Sequence, residues 1–171
     1  PTAEDVAVTV NAGAATDDFV NETLVSDPLP ATFDNAAPTP DLSTADDTVN
    51  VAFDVTKDFG ESVFGFTAAG ILVTGGDVTT LVGEDGDAVY TATITPTAED
   101  VAVTVNAGAA TDDFGNETLV SDPLPATFDN AAPTPVLSTA DDTVNGAFDV
   151  TIDFGESVFG FTAAGILVTG G

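Results

Sequence analysis

Apolar and polar positions alternate along most of this chain. Phe53, Val55, Lys57 and Phe59 fall on one face of a stretch whose other face carries Asp54, Thr56 and Asp58, and the pattern returns as Phe148, Val150, Ile152 and Phe154. Val101, Val103 and Val105 alternate with Ala102, Thr104 and Asn106, and Tyr90, Ala92 and Ile94 alternate with Thr91, Thr93 and Thr95. A period of two is that of a strand buried on one side, and no helical period competes with it. Seven strands are predicted, lettered A to G in chain order: A near residue 42, then 52–59, 71–74, 78–82, 88–95, 101–106 and 118–128.

The segments between these strands carry turn chemistry: TADDTVNV, DFGES, TGGD, GEDGDA, PTAED and TDDFGN. Seven short strands at this spacing predict an all-β fold, an antiparallel β-sandwich of immunoglobulin type. Two positions test that reading in advance. Lys57 stands on a core face where Ile152 fits better, so the lysine either snorkels near the strand end or is a mildly destabilising drift. Val20 stands where the later turn has Gly115, and if that turn needs a positive φ the valine is strained and its copy locally less stable. Asp85 and Asp87 in GEDGDA read as turn residues.

The chain is a repeat. Shifted by 95 residues, 1–76 aligns with 96–171, and only four of the 76 pairs differ: Val20/Gly115, Asp41/Val136, Val51/Gly146 and Lys57/Ile152. Such self-similarity marks an array of duplicated units. TFDNAAPTP occurs at 32–40 and 127–135, and its two prolines stiffen an extended backbone that continues neither helix nor central strand, so it reads as the linker. Residues 1–35 then form the C-terminal part of a preceding repeat, 36–130 a complete repeat, and 131–171 the N-terminal part of a following one. The chain is expected to be a window of a longer polymer; the alternative is a subunit whose partial ends are completed by neighbours through β-augmentation.

With 43% apolar residues the chain can build a core, but its charge is lopsided: 29 acidic side chains against one lysine, with no arginine or histidine. Nucleic acids and anionic membrane surfaces would be repelled, and no apolar run approaches the length of about 20 residues that spans a bilayer. Without cysteine or histidine there is no disulfide framework, no thiolate or imidazole metal site and no histidine general base. Only oxygen remains to hold a metal.

FTAAGILVTGGDVT, YTATITPTAEDVAVTVNAGAATDDFGN and STADDTVNGAFDVTIDFGESV resemble the tandem bacterial Ig-like repeats of very large secreted surface adhesins of the RTX type. The resemblance covers the whole repeat and implies stalk or extender modules, commonly calcium-dependent, exported and held at the cell surface. It also implies an acidic residue where Gly70 and Gly165 stand. FDNAAP is similar to the Asp-Asn linker of cadherin repeats, over a shorter match.

In a sandwich of this topology the BC, DE and FG loops lie where the chain enters, and the AB and EF loops where it leaves. The first junction is then expected to gather Glu4, Asp5, Asp34, Asn35, Asp58, Glu61, Asp112 and Asp113, and the second Asp46, Asp47, Glu99, Asp100, Asp129, Asn130, Asp153 and Glu156. Two carboxylates about 4 Å apart repel by about 4 kcal/mol at an effective dielectric of about 20, and one lysine cannot neutralise many such pairs. Calcium, with six to eight oxygen ligands in tolerant geometry, suits these loops better than magnesium. The competing reading is a solvated acidic surface.

These features point to a calcium-rigidified, non-catalytic spacer of a surface adhesin or extracellular fibre, with neighbouring repeats as partners. The alternative is a self-assembling filament subunit. Enzymatic activity is not expected: paired acids such as Asp112 and Asp113 point apart on a strand or loop, where glycoside hydrolysis needs opposed carboxylates in a cleft. Threonine-rich strand faces also admit a glycan- or ice-binding surface, although no regular flat array stands out.

Overall fold

A computed structural model describes residues 5–170 of the chain. The chain divides between Asp129 and Asn130 into two compact units. The first opens with a hairpin of β1 (Asp5–Val8) and β2 (Leu29–Thr32), paired antiparallel from Asp5↔Thr32 to Val8↔Leu29.

The linker follows, and then the complete repeat: β3 (Asp41–Thr44), β4 (Thr48–Val49), β5 (Phe53–Asp58), a single 3-10 turn at Ala68–Gly70, β6 (Ile71–Thr74), β7 (Gly76–Val82), β8 (Val89–Pro96), β9 (Asp100–Val105) and β10 (Leu124–Phe128). These strands form two four-stranded sheets, β3-β5-β8-β7 and β4-β10-β9-β6. The inward faces are those the alternation predicts. Val55, Ala92, Ile94, Val103 and Val105 lose all contact with solvent, and Phe59, Phe66 and Tyr90 close one end of the core with ring centroids 5.0–5.9 Å apart, edge to face. Tyr90 satisfies its buried hydroxyl by donating to the Glu84 carbonyl at 2.6 Å. Two sheets in this order, packed over a common core, make the immunoglobulin-type sandwich.

Three details depart from the sequence reading. The first strand is two strands, because the chain crosses from one sheet to the other at Ala45–Asp47, where the Thr44 hydroxyl lies 3.2 Å from the Asp46 carbonyl and 3.0 Å from that of Asp54. Its second half, β4, runs parallel to β10, with Thr48 opposite Thr127, so the pairing is not antiparallel throughout. The last strand begins at Leu124 and not at Thr118. Across 118–121 the backbone N–H groups go to three places, Thr118 to Ala110, Leu119 to Pro38 and Ser121 to Val105, and Pro123 has no N–H to give.

Lys57 does not snorkel. It is wholly buried, and its ammonium donates to the Val55 carbonyl at 3.1 Å. Burial pulls its pKa down to about 8, with the Asp54 carboxylate opposing that shift. Val20 does adopt the left-handed backbone, at φ 68, where Gly115 stands at φ 85 in the later copy.

The second unit carries β11 (Val136–Ser138) and β12 (Thr151–Asp153), antiparallel, with Val136 opposite Asp153. It repeats local features of the complete repeat: a 3-10 turn at Ala163–Gly165, and Phe154 against Phe161 at 5.1 Å.

Candidate metal centre

Three loops converge where the linker meets the complete repeat, and each is fixed by its own backbone. After β5 the chain turns at Gly60, φ 76, whose N–H donates to Asp58 Oδ1 at 2.8 Å; this aims Glu61 away from the core. Phe64 then exchanges two backbone hydrogen bonds with Thr111, 2.8 and 3.0 Å long. The loop after β5 is thereby held beside the loop after β9.

That second loop is organised by Asp112. Its Oδ1 accepts the Phe114 and Asn116 N–H groups, both at 2.8 Å, and its Oδ2 accepts the Asn116 side-chain amide at 2.7 Å. Burial alone would raise this carboxyl; the bonds from the Asn116 side chain and from the Asn116, Phe114 and Gly115 backbone outweigh it and hold the group below its ordinary value. Asp112 is therefore ionised although only 4% exposed.

The linker supplies the third side. Asp34 accepts the Ala36 N–H at 2.9 Å, an Asx turn that bends the chain, and its carbonyl lies 3.5 Å from the Asn116 amide nitrogen. Leu119 donates its N–H to the Pro38 carbonyl at 2.9 Å, and the side chains of Pro38 and Pro40 are buried. The linker is seated on the repeat it leads into.

One carboxylate oxygen each from Asp34, Glu61 and Asp112 lies within 4.8 Å of the others, the acidic group among the described residues with the spacing of a metal site. Glu61 registers the crowding: its pKa is raised by burial and by the charges of Asp112, Asp34 and Asp113. The donor set is three hard oxygens from three loops, which suits a cation of flexible geometry such as calcium, with backbone carbonyls or water completing the shell.

The other residues of the first set stand differently. Asp58 and Asp113 are exposed and stand outside the group, Asn35 is exposed beside Asp34, and Asp5 lies on β1 opposite Thr32. Glu4 lies outside the described residues.

In the second set, the Thr127 N–H bonds to the Asp47 carbonyl and the Phe128 N–H to the Glu99 carbonyl, each at 2.7 Å, while Asp100 pairs with Thr127. Asp46, Asp47, Glu99, Asp100 and Asp129 therefore sit around the end of β10 in the first unit. Asn130, Asp153 and Glu156 belong to the second unit, where Asp153 Oδ1 accepts the Gly155 N–H at 2.9 Å, as Asp58 does for Gly60.

Two further positions resolve on packing. A Cβ at Gly70 would lie 2.7 Å from that of Ala109 and 3.2 Å from the Phe66 ring, so the acidic side chain implied by the resemblance has no room there. Asp85 and Asp87 act within the loops: Asp85 accepts the Gly65 N–H and Asp87 the Glu84 N–H, both at 2.8 Å. What the sequence could not show is the role of Asn116, whose side chain ties the linker carbonyl to the Asp112 carboxylate; it closes the turn TDDFGN, and turn chemistry was its signal.

No curated protein and no solved structure matches the chain. A family model described as bacterial Ig-like domain matches residues 34–127, a span that begins at Asp34 and takes in the strands of the complete repeat up to the last residue but one of β10, and the chain belongs to the bacterial Ig-like domain family.

Proposed function

We propose that this chain is a non-catalytic spacer of an extracellular or surface-displayed fibre, stiffened by calcium bound between each linker and the repeat it enters. The observation that carries the reading is the position of Asp34: a linker carboxylate stands within 4.8 Å of Glu61 and Asp112, two carboxylates of the folded repeat. A divalent cation there turns mutual repulsion into a cross-link and removes the freedom left to a linker already held by the buried Pro38 and by Leu119. Membership of the bacterial Ig-like family supports surface display in an adhesin, and no helix among the described residues is long and apolar enough to cross a membrane. Near-identical repetition suits a mechanical role, since each copy offers the same junction.

Small-angle scattering with calcium and with chelator tests this. The spacer reading expects a narrower distribution of interdomain distances when calcium is present. Identical curves under both conditions would remove calcium from the account.

A further inference from the structure

One of the four differences between the copies changes the chemistry of its neighbour. Val51 in the complete repeat is Gly146 in the next copy, so the dipeptide Asn50–Val51 becomes Asn145–Gly146. The chain has eight asparagines, and each is followed by Ala, Glu or Val except Asn145. The amide carbon of an asparagine is open to attack by the backbone nitrogen of the residue that follows. What hinders the attack is the Cβ of that residue and a backbone held away from the ring geometry. Glycine removes the first and loosens the second.

The complete repeat shows where this dipeptide stands. Residues 50–51 form the bend between β4 and β5, outside both strands, with Asn50 exposed and Val51 66% exposed. Residues 145–146 form the same bend ahead of β12, and both are exposed. Among the described residues, no hydrogen bond holds the Asn50 or Asn145 side chain, or the N–H of Val51 or Gly146. Because both copies share these features, they belong to the bend itself. The contrast is with Asn21 and Asn116, whose side-chain amides are held by Asp17 and Asp112 at 2.9 and 2.7 Å. Nor does the bend require glycine: Gly146 lies outside the positive-φ region, and a Cβ built on it would meet nothing within 4 Å.

We propose that Asn145 is a site of spontaneous modification, deamidating through a cyclic succinimide with water as the only co-reactant. The Gly146 nitrogen gives its proton to hydroxide and attacks Asn145 Cγ; the side-chain nitrogen takes a proton from water and leaves as ammonia. Water then opens the ring. Cleavage of the new bond to Cγ gives aspartate, and cleavage of the old bond to the main-chain carbonyl carbon gives isoaspartate, with the backbone rerouted through Cβ and Cγ. Both products add a negative charge to a chain already at −28, and isoaspartate also lengthens the main chain ahead of β12. In the complete repeat the bend follows directly on Val49, whose carbonyl accepts the Asp129 N–H at 2.9 Å, so a lengthened backbone there would disturb the hold on the outgoing linker. Valine spares that copy, and the two copies age differently.

Incubating the folded full chain at mildly alkaline pH, beside Gly146→Val and Val51→Gly, tests the proposal. Peptide mapping by mass spectrometry locates the product, and enzymatic methylation with a labelled methyl donor reports isoaspartyl carboxylates. The wild type is expected to accumulate a species heavier by the exchange of an amide for an acid, confined to the peptide holding Asn145, faster as pH rises and methyl-accepting. Gly146→Val should lose it, and Val51→Gly should gain a second product at Asn50. Both substitutions fall on an exposed bend, and an unchanged circular dichroism spectrum checks that the fold is kept. An Asn145 that keeps its amide in the folded chain but loses it in denaturant would overturn the proposal, because the bend would then shield it. So would deamidation spread evenly over the asparagines, a reaction that Gly146→Val leaves unchanged, or a Val51→Gly chain with no product at Asn50.

Discussion

Phe64 and Thr111 exchange both of their backbone hydrogen bonds, at 2.8 and 3.0 Å, and this one pair joins the loop bearing Glu61 to the loop bearing Asp112. The two strands that feed those loops, β5 and β9, lie in different sheets. The carboxylates meet because the sandwich is closed at that end by a bridge between sheets, and the linker then adds Asp34 from outside.

Glu61 makes the metal-free junction sensitive to acid in a direction opposite to ordinary acid unfolding. Its pKa is raised in the folded chain, by burial first and then by Asp112, Asp34 and Asp113, so the folded state holds the proton more tightly than the unfolded one. Stability contributed by that proton is present below the unfolded value and lost as pH rises through the folded one. In chelator, Glu61→Gln should therefore raise the melting temperature at neutral pH, with the gain vanishing in acid. In calcium the same change should lower it, because a ligand is gone.

Lys57→Ile, the change already present as Ile152, should stabilise the complete repeat. The folded pKa of about 8 lies below the ordinary 10.5, so the unfolded state binds more protons between those values and stability rises with pH across that window. At pH 7 the buried ammonium costs about 3 kcal/mol, falling to about 1.4 kcal/mol at pH 9.5. Denaturant unfolding of the variant at both pH values checks the size and the slope; an equal gain at both would mean that folding does not lower the Lys57 pKa.

Gly115→Val should cost about 1 to 3 kcal/mol, the usual strain of a residue forced into a sparsely populated backbone region. Nothing lies within 4 Å of a Cβ at Gly115, so the penalty is conformational and not a clash. The reverse change, Val20→Gly, should relieve the first copy. Hydrogen exchange at the Val20 amide, which donates to the Asp17 carbonyl at 3.0 Å, should slow about tenfold for each 1.4 kcal/mol of strain released.

Much of the fold was legible in the sequence because the alternation is strict where strands are buried on one face. Phe53 to Phe59 and Val101 to Val105 announce both their state and their inward side. The break between β3 and β4 was not legible, since residues 45–47 form an ordinary polar turn and only pairing shows that the chain changes sheets there. Thr118 to Ser121 has the composition of a strand, and the linker's claim on the Leu119 amide is a tertiary fact.

The candidate site divides in the same way. Topology alone was enough to bring the Asp34, Glu61 and Asp112 loops to one end. It could not tell that Asp58 and Asp113 face solvent, or that Asn116 joins linker to loop. Such distinctions rest on where single side chains point, which neither spacing nor charge records.

The central claim is that calcium binds through Asp34, Glu61 and Asp112 and ties the linker to the repeat. Calorimetric titration of calcium into the wild type and into Glu61→Ala tests it most directly. The account predicts saturable binding to the wild type with a dissociation constant of about 0.1 to 1 mM, the range of extracellular modules, and loss of a site in the variant. A wild type that takes up no calcium, or a variant that binds it unchanged, would contradict the account.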